Sequence, residues 1–140
     1  MGIMKDKFLE KSTTLSAEIK ELLKEHGNKV IGEVTLSQVY QGMRGITGLV
    51  TETSLLDAQE GIRFRGYSIP ELQAKLPKAP GGSEPLPEGL FYLMMIGELP
   101  TEEEVNHVTN VLQRRSHVPS HVFEAIDALP LNTHPMTMFV

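Results

Sequence analysis

The sequence predicts a mainly α-helical chain with a small β-hairpin towards its amino-terminal side. Three observations carry that expectation. Apolar residues recur at helical spacing between Asp6 and His26. Two extended runs, Leu49–Leu56 and Ile62–Tyr67, flank the turn-like Asp57–Gly61. From Ser68 onwards, helix-start and helix-stop residues follow one another at short intervals.

Phe8, Leu15, Ile19, Leu22 and Leu23 form one apolar stripe on a helix over about 6–26, with Gly27 as its C′ residue. Lysines and glutamates alternate on the other face, which favours a helix packed on its own protein or subunit over a partner-binding or membrane-surface helix. Val30–Leu36 is a candidate short strand. The glycine-rich stretch Gly42, Gly45 and Gly48 then leads into a β-hairpin over about 49–67 with a loop of about five residues. In its second run Ile62 and Phe64 share one face; Arg63 and Arg65 share the other, as a strand's polar face or a subunit contact.

Ser68-Ile-Pro-Glu71 combines an N-cap serine, a first-turn proline and a capping-box glutamate, opening a helix to about Leu76. Pro77–Pro87 is a loop. Pro87–Ile96 is apolar enough for a central strand, but its leucines and methionines, opened by proline and closed by Gly97, predict a buried helix. Thr101-Glu-Glu-Glu104 is a second capping box, opening a helix to about Arg115. Pro119-Ser120 caps another, ending near Leu129, and Asn132-Thr133-His134-Pro135 is one more start. A helix broken off within one turn gains little from propagation. The chain is therefore expected to be a piece of a longer protein.

With 40% hydrophobic residues, 22% charged residues and a net charge of −5, the 140 residues are those of a soluble globular protein. The mild acidity argues against a nucleic-acid binder or an anionic-membrane binder, which carry basic patches. Absence of cysteine removes disulfides and thiolate metal sites. The opening residues lack a signal core or a transit-peptide composition, and Asp6 stands where myristoylation expects serine or threonine. No apolar run is long enough to span a bilayer. A soluble, cytoplasmic protein is expected.

Few residues invite chemistry. His117 and His121 are four apart, but Pro119 between them breaks the helix that would align them, and no metal site is expected. Glu103 and His107 suit a solvated i,i+4 pair. Asp57 and Glu60 sit in a turn, where they support local hydrogen bonds. Arg44, among the glycines, is the remaining candidate. An arginine there can offer a planar, permanently charged fork to phosphate, or it can brace the loop or pair with a carboxylate.

The strings MRGITGLVTETS (from Met43), EGIRFRGYSIPEL (from Glu60), LPKA (from Leu76) and EPLPEGLFYL (from Glu84) closely resemble the amino-terminal part of citrate synthases of the mitochondrial and bacterial type. The resemblance runs from about His26 to Met136. It implies an almost wholly helical fold with residues 1–140 opening the large domain, an enzyme that is at least a dimer, and condensation of acetyl-CoA with oxaloacetate to citrate and free CoA. No permanently bound cofactor is implied. Arg44 matches an arginine associated with the phosphates of coenzyme A. His134 matches a structural His-Pro-Met segment. No stretch matches the family's catalytic histidines and aspartate, so this chain alone is expected to be inactive. The resemblance also allows a mitochondrial matrix location, a naturally short non-catalytic relative, or a 2-methylcitrate synthase.

Overall fold

A computed structural model describes residues 2–139. Among them are seven helices and one three-stranded antiparallel sheet in the order β1-β2-β3, so the mainly helical expectation holds. The chain divides into two compact units, one ending at Val108 and the other beginning at Thr109.

In the first unit, α1 spans Ile3–His26. It starts a turn earlier than its apolar stripe predicts, because Met4 packs against a buried cluster of Tyr92, Ile96 and Val108. Gly27 is not a left-handed C′ residue: it stays right-handed and donates its N–H to Leu23 O at 2.9 Å. The expected strand Val30–Leu36 is absent. β-branched residues alone do not make a strand where no neighbour pairs with them. A short helix, α2 (Leu36–Tyr40), occupies the end of that stretch, opened by a capping box of Thr35 and Gln38.

The hairpin is shorter and more folded than 49–67. β1 (Ser54–Asp57) pairs with β2 (Gly61–Phe64) around a three-residue loop, and β2 pairs with β3 (Tyr67–Ser68). Leu49–Thr53 stay outside the sheet. Arg65 and Gly66 have φ of +48° and +87°, the two left-handed residues of a tight hairpin turn. Arg65 therefore does not share a strand face with Arg63.

α3 (Ile69–Lys75) begins at the Ser68–Glu71 capping box, with Ser68 N donating to Glu71 Oε2 at 2.8 Å. α4 spans Pro87–Ile96 and ends on left-handed Gly97. Its Tyr92, Leu93 and Ile96 are buried, and with Leu72 of α3, the C-cap residue Leu76, Val105 and Val108 they form the core. Phe64, Tyr67, Leu90 and Leu99 pack against the Leu72–Leu76–Leu93 cluster. The amino-terminal part of α1 lies on α4, while Leu15, Ile19, Leu22 and Leu23 farther along remain exposed.

α5 (Glu102–Arg114) crosses the boundary between the units. The second unit carries α6 (Ser120–Asp127) and α7 (Pro135–Phe139). Pro119 stands at the N-cap of α6 without a side-chain cap bond, so this start rests on the proline's φ rather than on a serine cap. None of the unit's described residues is buried.

Candidate functional site

Arg44 lies just after α2 in a loop whose backbone is left-handed at Gly42, Met43 and Gly45, with φ of +72°, +62° and +73°. Gly42 N donates to Val39 O, Met43 N to Gln38 O and Ile46 N to Met43 O, at 3.2, 2.8 and 3.2 Å. These bonds fold the loop back onto the end of α2. A methionine with positive φ carries strain of about 1 kcal/mol or more, and such strain concentrates at ligand sites. Arg44 itself is exposed, and no described residue bonds its guanidinium. Of the alternatives open to it, pairing with a carboxylate is not seen among the described residues.

The turn carboxylates have structural partners. Asp57 Oδ1 accepts the N–H groups of Gln59 and Glu60 at 2.7 and 2.9 Å. The Glu60 amide bond, then that of Gln59, holds its carboxyl below the ordinary aspartate range. Glu60 Oε2 receives Arg63 Nε and Nη2 at 3.0 and 2.9 Å, and the Glu60 contact pushes the Arg63 guanidinium above its usual value. Neither acid is free for acid–base work.

Two connections escape a reading of the sequence. The Arg65 guanidinium reaches from the hairpin turn to Met94 O at the end of α4, through Nη2 at 2.9 Å and Nε at 3.3 Å. Its Nη1 lies 3.4 Å from Glu52 O and 3.8 Å from Glu52 Oε2. The only local hint was the pair Arg65-Gly66 between Phe64 and Tyr67, which fits a two-residue hairpin turn.

The second is a polar network under α1. Glu104, 8% exposed, accepts Lys7 Nζ at 2.6 Å and the Tyr92 hydroxyl at 2.5 Å on Oε1, and Thr101 N at 2.9 Å on Oε2. Burial alone would raise its carboxyl; the Lys7 ammonium, the Thr101 amide and the Tyr92 hydroxyl outweigh that and hold its pKa down to about 2. The same contacts push Lys7 above the ordinary lysine range, and burial followed by the Glu104 bond raises Tyr92. The capping box announced Glu104 at the start of α5, but not its partner 97 residues away.

The histidines stay apart from these groups. His134 Nδ1 accepts Met136 N at 3.2 Å and so caps α7, as a helix-start histidine should. His107 packs against Gly2, which leaves no room for a side chain there. Among the described residues no group of three or more His, Cys, Asp or Glu could hold a metal ion. An open groove of about 640 Å³ beside α1 is lined by Lys7, Lys11, Glu52, Arg65 and Glu98, with both signs of charge and without Arg44.

Comparison with known proteins places this sequence in a family. Residues 42–140 match the family described as "Citrate synthase, C-terminal domain". "Citrate synthase, mitochondrial" of Saccharomyces cerevisiae is 53% identical over 136 residues, covering 97% of this chain and 28% of that protein. The protein of the same name from Aspergillus niger is 54% identical over 136 residues, covering 97% and 29%. That from Kajikia audax is 57% identical over 121 residues, covering 86% and 26%. The chain thus spans little more than a quarter of the length of these relatives. With the match extending from the arginine loop through the hairpin and every helix after it, the chain belongs to the citrate synthase family.

Proposed function

We propose that this chain is the amino-terminal part of a citrate synthase, an enzyme that condenses acetyl-CoA with oxaloacetate and releases citrate and CoA. The observation that carries the reading is identity above 50% to proteins named citrate synthase over nearly the whole chain. General acid–base chemistry at the acetyl methyl group and stabilisation of the resulting enolate are supplied by residues outside these 140. The contribution of this stretch is binding. Arg44 is a coenzyme ligand: it stands exposed on a strained loop, and its guanidinium suits a pyrophosphate or phosphomonoester.

The relatives are named as mitochondrial, so the matrix is a better supported location than the cytoplasm expected from composition. No helix among the described residues is long and apolar enough to cross a membrane. Leu15, Ile19, Leu22 and Leu23, uncovered on α1, suit burial against a second copy, in keeping with a dimer.

Assay of thiol release from acetyl-CoA and oxaloacetate tests the reading. The full-length enzyme turns over and the 140-residue chain does not; turnover by the short chain overturns the assignment of the chemistry to other residues. Preference for the acyl donor one methylene longer shifts the reading to 2-methylcitrate formation. In the full-length enzyme Arg44→Ala raises the KM for acetyl-CoA about 10-fold, the scale of one charge-assisted hydrogen bond, and leaves that for oxaloacetate near its original value. An unchanged KM for acetyl-CoA removes Arg44 from the coenzyme site.

A further inference from the structure

Arg65 occupies the first position of a two-residue hairpin turn with φ +48°, where glycine, asparagine or aspartate fits with less strain. The turn gains nothing from an arginine. What the arginine gains is reach. Its Nη2 and Nε share Met94 O, at 2.9 and 3.3 Å, in the last turn of α4. Carbonyls there lack helical partners and stand at the negative end of the helix dipole. On its other side Nη1 approaches Glu52 O and Oε2, while its backbone N donates to Thr53 O at 2.8 Å. The Arg65 side chain is 21% exposed: its bonds to Met94 O are partly buried, while those to Glu52, itself 60% exposed, face solvent.

The hydrogen bonds that tie residues 42–53 to the body end on Arg65. Upstream of Glu52 the stretch has exposed Leu49 and Val50, and nothing from Asn28 to Thr53 is buried. The loop that carries Arg44 is therefore held to α2 on its upstream side, and on its downstream side the chain meets the body at Glu52 and Thr53.

We propose that Arg65 is a positioning residue for coenzyme binding: fixed to the end of α4, it grips Glu52 and Thr53 and so sets where the Arg44 loop stands. It touches no ligand and acts through Arg44, so the proposal rests on the coenzyme reading of Arg44 given above. A planar guanidinium can serve two directions at once, whereas a lysine ammonium in the same place can satisfy one carbonyl or the other.

The test compares Arg44→Ala, Arg65→Gln, Arg65→Lys and the double variant Arg44→Ala/Arg65→Gln in the full-length enzyme, by steady-state kinetics and thermal unfolding. Arg65→Gln raises the KM for acetyl-CoA about 5-fold, within the range of such indirect couplings, with kcat and the KM for oxaloacetate within about 2-fold. Arg65→Lys falls between it and the parent. In the double variant the KM for acetyl-CoA is no higher than in Arg44→Ala alone, since a positioning residue has nothing left to position.

A lowered Tm with unchanged KM in Arg65→Gln overturns the proposal and leaves a structural brace. Additive effects in the double variant overturn it as well. If Arg65→Gln does not fold, Arg65→Lys decides, and an unchanged KM for acetyl-CoA there overturns it. Failure of Arg44→Ala to alter that KM is a separate result, which removes the coenzyme reading and this proposal together.

Discussion

Residues 28–53 and residues 54–108 use the same local devices to different ends. Each contains a capping box. In the first stretch Thr35 N donates to Gln38 Oε1 at 2.9 Å and Gln38 N to Thr35 Oγ1 at 3.3 Å. In the second, Ser68 N donates to Glu71 Oε2 at 2.8 Å and Glu71 N to Ser68 Oγ at 3.4 Å. The caps make the same bonds at similar distances, yet α2 stops after five residues with nothing buried, while α3 carries Leu72, and its C-cap Leu76, into the core. Caps decide where a helix starts; burial decides whether it contributes to stability, because a helix of one turn is unstable alone. The exposed stretch is free to present Arg44, and the buried one holds it in place through Arg65.

The widest gap between the two regions lies in their apolar side chains. Leu93 is fully buried in the cluster with Leu72 and Leu76, whereas Val50 is 87% exposed. Denaturant unfolding of the 140-residue chain should show Leu93→Ala costing about 3 kcal/mol, the usual scale for a buried leucine deletion. Val50→Ala should stay within about 0.5 kcal/mol, as surface changes do. Comparable losses from both would mean that the arginine arm is folded into the core, and the contrast would be gone.

Glu104 sharpens the contrast from the polar side. Its carboxylate takes four donor groups beneath α1, and Glu104→Gln should cost about 2 kcal/mol, as for hydrogen bonds to a charged group. The folded pKa of about 2 lies below the unfolded value, so the folded state binds fewer protons above it. The contribution is fully present above about pH 4.5 and is lost as the pH falls towards the folded value. A Tm followed across that window should fall in the parent chain and flatten in Glu104→Gln. Equal slopes would show that Glu104 does not couple α1 to α5.

What was legible in the sequence was local. Ser68 with Glu71, Thr101 with Glu104, and Pro87 with Gly97 each mark a helix end within one turn, and α3, α4 and α5 begin and end close to where those residues place them. Val30–Leu36 misled because β-branched residues report fitness for a pleated surface and not the presence of a partner strand. The box Thr35–Gln38 was equally local and outweighed them. Long-range partners left no local trace: Arg65 and Met94 are 29 residues apart, Lys7 and Glu104 are 97. The place of Arg44 in a loop follows from its glycines, whereas its ligand came only from resemblance.

The smallest effect is also the most discriminating, because it holds the chemistry constant and varies only the region. Ser68→Ala removes the acceptor for Glu71 N and the hydroxyl that donates to Glu71 Oε2 at 2.8 Å. It should cost about 1 kcal/mol, a typical N-cap loss, and lower the Tm of the 140-residue chain by about 3 °C. The loss is global because α3 cannot fray at its start without loosening Leu72 from the core. Thr35→Ala removes the same two bonds from α2, and the global midpoint should not move. Its consequence should appear only as faster amide exchange at Gln38 and Val39, where opening is already local and separate from unfolding. If Thr35→Ala lowers the midpoint as much as Ser68→Ala, residues 28–53 belong to the same cooperative unit as the body. Arg44 would then be held by packing along the whole arm and not by the single grip of Arg65 on Glu52.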